Sequence, residues 1–264
     1  MERAAQDTEN VLEERGKNQV LWQERYVLLL WLSHLLLAPF DLASISTLEA
    51  ETTGEIKDLA LPPNLPGIPK RIIPICLKYI RTATRERKAA AALMVRMSLR
   101  PDMRGLGLLE GLAHWGISYF DSPVFRHSPI LYESLGMLQF LSGLVASGNK
   151  EEIGRFAPKI FYTCQAIIQD DAHKYLQSSA IARKLVVKIF RNVAVLAMQS
   201  VDGLDAAEVM EGVIGFLLDS VADGDSPVRT SSSKALSVIT LQLDWSIAHE
   251  VLETILGSMT EDVL

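Results

Sequence analysis

Cysteine is scarce in this chain, with only Cys76 and Cys164 among 264 residues. The two lie far apart on apolar stretches and match no metal-ligand spacing. Two is also too few for a disulfide scaffold, so a reducing compartment is expected. Glycine (16) and proline (11) stand near average usage, which excludes a collagen-like or linker-like polymer. The start of the chain, with Glu2, Arg3, Asp7 and Glu9, has no apolar h-region, and none of Asn10, Asn18, Asn64, Asn149 or Asn192 opens an N-glycosylation triplet. Secretion is therefore not expected. Long hydrophobic runs are lacking as well. The strongest, Tyr26 to Phe40, has about fifteen residues, is interrupted by Ser33 and His34 and is closed by Pro39. A bilayer span needs about 20 predominantly apolar residues, so this run reads as a buried core helix; a membrane-inserting helix is the competing reading. Strand signals are scarce too, with no alternating runs between Asn-Gly or Asp-Gly turns.

What is present is helical. The 48% hydrophobic and 22% charged content supplies a core for one large domain or two small ones. Helical spacing recurs almost throughout, which sets the fold class as all-α. Ser128-Pro129 and Ser226-Pro227 read as serine N-caps followed by proline at the first helical position. The segment Ala206 to Val221 stacks Val209, Val213, Phe216 and Leu217. After the turn Ala222-Asp223-Gly224-Asp225, the next segment stacks Val228, Ala235, Leu236, Ile239 and Leu243. This describes an antiparallel helix pair. Pro158 predicts a break near Phe156 within Lys150 to Ile168. The Pro/Gly-rich stretch Leu61 to Pro69, preceded by the polar run Thr47 to Asp58, predicts an inserted loop. The expected organisation is N-terminal helices with the buried apolar helix in 1–46, the loop in 47–69, and helical repeats continuous with the first helices in 70–264.

Repetition carries the most information. Four segments read as equivalent second helices, starting at Thr84, Ser128, Ser178 and Ser226, with spacings of 44, 50 and 48 residues. HEAT and armadillo repeats have periods of about 40–47. The opening Asp225-Ser226-Pro227-Val228-Arg229 fits a HEAT second helix, whose acidic and basic groups at the turn can link adjacent repeats. The reading is an α-solenoid of HEAT/armadillo-like helical repeats, in which each unit buries its apolar face only by stacking. The last predicted helix, Trp245 to Met259, has Val251, Leu252, Ile255 and Leu256 as apolar positions that need a neighbour.

The formal charge of -6 hides segregation. Residues 59–104 hold ten basic and two acidic residues, a net +8, whereas residues 202–264 hold twelve acidic and two basic, a net -10. Such an asymmetry steers a partner of opposite sign, or simply solvates outer helix faces. Nucleic acid is not an expected partner, because the basic segment lacks interleaved aromatics apart from Tyr79 and the chain is acidic overall. Catalytic signals are missing. Arg104-Gly105-Leu106-Gly107 has no preceding strand and no following Lys-Ser or Lys-Thr, so it reads as a loop-to-helix junction. His34, His114, His127, His173 and His249 are singletons, which argues against zinc. There is no Gly-x-Ser-x-Gly elbow. Glu151-Glu152 and Asp170-Asp171 suit helix caps better than acid/base work. The chain reads as a binding protein with no enzyme activity and no cofactor.

Trp22-x-x-Arg25-Tyr26-x-Leu28-Leu29-Leu30-Trp31-Leu32-Ser33, followed by Pro39-Phe40-Asp41-Leu42, resembles the tubulin-folding cofactor D family. So do Arg87-Lys88-Ala89-Ala90-Ala91 through Arg100-Pro101-Asp102, and Ala182-Arg183-Lys184-Leu185-Val186-Val187-Lys188. The order agrees from about residue 20 to 243, while full-length members are several times longer, so the chain reads as an internal or truncated fragment. The resemblance implies a cytoplasmic, microtubule-associated cofactor of post-chaperonin tubulin folding. Such a protein binds β-tubulin, joins it with α-tubulin held by cofactor E, acts with cofactor C to stimulate GTP hydrolysis by tubulin, and associates with an Arf-like small GTPase. The matched motifs themselves read as core, with Leu28, Leu29 and Leu32 packing, Trp31 filling volume and Arg25 at a helix end. The client contact is expected instead at the basic stretch, with Arg81, Arg85 and Lys88 as its partner-binding residues. A generic HEAT-repeat scaffold without tubulin binding is the alternative.

Overall fold

Helical spacing is realised as helices. The computed structural model describes residues 21–46, 59–121, 130–199 and 206–261, and among them there is no strand. The polar run 47–58 of the expected loop and the caps expected at Ser128-Pro129 lie outside the described residues. The chain forms two compact units, residues 1–148 and 149–264.

In the first unit the helices are α1 (Trp22–Leu35), α2 (Leu42–Ile45), α3 (Gly67–Tyr79), α4 (Glu86–Ser98), α5 (Pro101–Gly105), α6 (Leu108–Asp121) and α7 (Leu131–Ser147). Helix α4 lies at the centre, packed against α1, α3 and α7, while α6 packs against α7. Its sequence explains that position. Ala89, Ala90 and Ala91 are buried on successive sides and let neighbouring backbones approach, while Leu93, Met94 and Met97 are fully buried and fill the gaps between them. The short helix α5 ends at Gly105, and Gly107 at φ 85° reverses the chain into α6. Only glycine adopts that left-handed conformation without strain, which makes this stretch the expected loop-to-helix junction.

Helix α1 departs from the reading as a helix buried all round. Leu29 and Leu32 are buried, but Leu28 is only half-buried and Trp31 is 46% exposed. Trp31 therefore does not fill core volume. With one side on α4, a helix of this length leaves its opposite side outward whatever its composition. No helix among the described residues is long and apolar enough to cross a membrane.

The second unit comprises α8 (Lys150–Ile153), a 3-10 turn (Gly154–Phe156), α9 (Ala157–Gln169), a second 3-10 turn (Asp171–His173), α10 (Lys174–Gln177), α11 (Ala180–Met198), α12 (Ala206–Val221), α13 (Ser226–Thr240) and α14 (Trp245–Glu261). The break at Phe156 follows from Pro158, which has no N–H for the carbonyl of Gly154. Asn149 and Glu152 form a capping box at 3.0 Å in both directions, so the paired acids do serve a cap. Asp170 accepts from Ala172 N–H at 2.9 Å, again as a cap. Phe161, Phe190 and Phe216 join α9, α11 and α12 through ring contacts of 5.4 and 5.1 Å. The pair α12/α13 has the expected antiparallel arrangement. Ser226, however, is the first helical residue and Asp225 the N-cap, which shifts the expected cap by one.

The predicted second helices correspond to α4, α7, α11 and α13. They pack as neighbours within each unit, α4 on α7 and α11 on α13, as stacked repeats require.

One close approach is testable. A Cβ on Gly136 of α7 would stand 2.2 Å from the Ile80 carbonyl oxygen just past α3, whereas one on Gly215 of α12 would meet nothing within 4 Å. Gly136→Ala is expected to destabilise by about 1–3 kcal/mol, and Gly215→Ala to stabilise by about 0.4–1 kcal/mol. Urea unfolding of both variants checks this, and equal shifts would contradict the packing described.

Candidate functional site

A helix ends with carbonyls that lack intrahelical donors, and α1 is no exception. Arg96 of α4 donates to the Ser33 carbonyl at 2.8 Å. Arg100, one turn later, donates to the carbonyls of Leu36, Ala38 (3.1 Å) and Phe40 (2.8 Å). Its planar guanidinium is oriented by a two-pronged pair with Asp102, at 2.9 and 3.0 Å. Asp102 in turn accepts from the Leu42 N–H at 2.8 Å, at the start of α2. Burial pushes the Asp102 carboxyl up, but the hydrogen bonds from Arg100, Leu42 and Met103 outweigh it and hold the group below its usual range. The Pro39-Phe40-Asp41-Leu42 and Arg100-Pro101-Asp102 runs, sixty residues apart, are thus the two halves of one clamp.

At the other end of α1, Arg25 pairs at 2.8 Å with Glu86, which is fully buried at the start of α4. The same guanidinium lies 5.9 Å from the Tyr79 ring centroid. Arg25 therefore does sit near a helix end, and its job is to hold α1 on α4. In the second unit, Arg183 of α11 bridges to the α12/α13 turn, reaching Asp223 at 2.7 and 3.0 Å and Asp225 at 2.6 Å. Asp225 consequently gives no side-chain cap to α13. Arg229 closes the turn from the other side through the carbonyls of Asp223 and Gly224. The Arg183 hydrogen bonds hold Asp223 below the ordinary carboxylate range. The acid-base link between neighbouring pairs expected of the HEAT-like opening is thus present.

The basic stretch divides when its residues are placed. Arg96 and Arg100 are spent on carbonyls, and Arg87 is buried, donating to the Thr82 carbonyl at 2.9 Å with its charge 5.6 Å from the Tyr132 ring centroid. Arg81 is exposed but pairs at 2.8 Å with Glu133, a buried residue of α7. Arg85, at the N-cap of α4, and Lys88, one turn on, share an exposed face and have no ion pair among the described residues. Of the three expected partner-binding residues, Arg85 and Lys88 present free charge together, and Arg81 holds a neighbouring helix. Sequence reasoning missed Glu133, whose position inside an apolar run was its only signal.

A shallow groove of about 490 Å³ lies between Ala60–Pro63 and α6, lined by Trp115, His114 and Glu110. Its lining also includes Ser118, one turn on from His114 in α6. Among the described residues no three of His, Cys, Asp and Glu converge on a common point. Both cysteines are buried free thiols whose pKa burial pushes up, the opposite of what a nucleophile needs.

The Asp102 clamp has a pH signature. A carboxyl held low in the folded state adds stability above its unfolded value of about 4, and that stability fades as pH falls through the folded value. Asp102→Asn is expected to lose about 1–3 kcal/mol at pH 7. It should also show a shallower decline than the parent below about pH 4. Urea titrations at several pH values check both, and parallel curves would remove the clamp from the account.

Comparison with protein families matches residues 3–119 to the description "Tubulin-specific chaperone D-like, ARM repeat". Tubulin-folding cofactor D of Schizosaccharomyces pombe is 26% identical over an alignment of 263 residues, which covers 92% of this chain and 21% of that protein. The chain thus spans about a fifth of the length of this relative. No solved structure matches. The motifs in the clamp, the stacked helix pairs and both comparisons agree: this all-α helical-repeat chain is similar to tubulin-folding cofactor D.

Proposed function

We propose that this chain is a tubulin-binding segment that takes part in post-chaperonin tubulin folding, with β-tubulin as its client. The observation that carries this reading is the match to tubulin-folding cofactor D along 92% of the chain. Stacked helical pairs suit the task, because they present an extended surface to a large client without themselves needing a catalytic pocket. By the same relationship the expected partners are cofactor E with α-tubulin, cofactor C and an Arf-like small GTPase. Any stimulated GTP hydrolysis belongs to tubulin's own nucleotide site, and the setting is the cytoplasm. The outward face of Arg85 and Lys88 is the proposed electrostatic contact, directed at an acidic tubulin surface.

A second reading, a helical scaffold without tubulin binding, is favoured by one observation. Four of the side chains in the motifs that carry the likeness, Arg25, Arg100, Asp102 and Arg183, face inward onto other helices. They account for the fold without needing a client.

The two readings separate in a binding titration of the full chain against purified β-tubulin, with Arg85→Glu/Lys88→Glu as the variant and Lys234→Glu as the control. The double reversal is expected to weaken binding about tenfold, the sum of exposed charge pairs worth roughly 0.5–1 kcal/mol each. The effect should shrink with added salt. Unchanged affinity would remove this face from the contact, and no binding by the parent chain would favour the scaffold. Arg81 is left out of the variant because its reversal would strand the buried Glu133.

A further inference from the structure

We infer that the outer side of α14 is a docking surface for a helix whose apolar stripe is flanked by lysine or arginine. Helix α14 has two apolar sides. Val251 is buried on the side that meets α13. The other carries Trp245, which is 79% exposed, and Leu252, which is 46% exposed, with Leu241 in the preceding turn 84% exposed. Positions 245, 249 and 252 follow the i, i+4, i+7 spacing of one helix face. His249 lies in that row, its ring stacked on Trp245 at 6.0 Å and 11° between planes. A contiguous stripe of this kind, anchored by a tryptophan, has the composition of a binding surface and not of scattered surface apolars.

The neighbouring pair shows what such a helix accepts. Helix α12 is covered by both α13 and α11, whereas α14 packs chiefly against α13. One further helix laid along Trp245, His249 and Leu252 would give α14 the cover that α12 already has.

Charge selects among the candidate occupants. Helix α14 contains Glu250, Glu253 and Glu261 and no lysine or arginine, and Asp244 precedes it. Asp244, Glu250 and Glu253 are exposed. A second copy docked face to face would set these carboxylates against their own equivalents, an arrangement that like charges oppose. Glu253, with Glu250 beyond it, lies along one edge of the stripe, and a helix with basic residues on that flank meets complementary charge there. This surface is separate from the Arg85 and Lys88 face and does not depend on it.

The test uses the full chain and a fluorescein-labelled amphipathic peptide of about 18 residues, long enough to form a marginal helix that docking completes. One version carries leucine along one face with lysine flanks; the other replaces lysine by glutamate. Anisotropy titration at low ionic strength is expected to show saturable binding of the lysine version, with the glutamate version at least about tenfold weaker. Trp245→Ser/Leu252→Ser should raise the dissociation constant at least about tenfold with an unchanged thermal transition, since both positions are exposed. Glu250→Lys/Glu253→Lys, which leaves the apolar stripe in place, should reverse the preference between the peptides. The inference is overturned by the absence of saturable binding, by binding indifferent to both variants, or by sedimentation that shows the parent chain self-associating through a contact the Trp245→Ser/Leu252→Ser variant abolishes.

Discussion

The turn that follows α1 carries carbonyls outside any helix, and the first unit is organised around the arginine that supplies their donors. Arg100 reaches three carbonyls beyond the helix end while Asp102 holds its guanidinium in plane and binds the first amide of α2. Without the arginine, a turn pressed against α4 would keep unsatisfied acceptors, and a partly buried carboxylate would lose its counter-charge. Without the aspartate, a guanidinium with five donors would have no fixed plane. The clamp therefore couples three otherwise local decisions: where α1 stops, where α2 starts and how both lie on α4. Arg25 and Glu86 repeat the arrangement at the opposite end, so α1 is fastened at both ends by charge and along its length by Leu29 and Leu32.

Much of this was legible in the sequence, for reasons particular to each element. The α12/α13 pair could be placed almost to the residue because apolar positions at helical spacing flank an Asp-Gly-Asp turn, where propensity and pattern agree. The break at Phe156 was readable because proline acts on the backbone four residues earlier irrespective of context. Trp31 was not readable. Hydrophobicity states what a side chain prefers, whereas the side of α1 that meets α4 is decided by residues sixty positions away. The cap at Asp225 was misplaced by one residue for a similar reason, because its carboxylate is drawn to Arg183 on another helix instead of to its own.

The candidate surface shows the same limit in terms of charge. A count along residues 59–104 returns +8, yet a count cannot distinguish a cation directed at solvent from one inserted among carbonyls. The inserted arginines keep their charge and contribute to the long-range field, while their positions are fixed and unavailable to a client's carboxylates. Exposed cations without an ion pair among the described residues are left at Lys78, Arg85 and Lys88, the last two side by side at the start of α4. The basic segment is thus divided: arginine, with its planar fork, holds helix ends, and the residues left at the start of α4 keep their charge at the surface.

The two cysteines, noticed at first only for their rarity, have a use of their own. Each compact unit holds one, Cys76 in α3 and Cys164 in α9, and both are completely enclosed. A thiol in that state reacts with a labelling reagent only when its helix opens. The chain therefore carries one built-in reporter of local opening per unit, and the two labelling rates would show whether the units breathe together or separately.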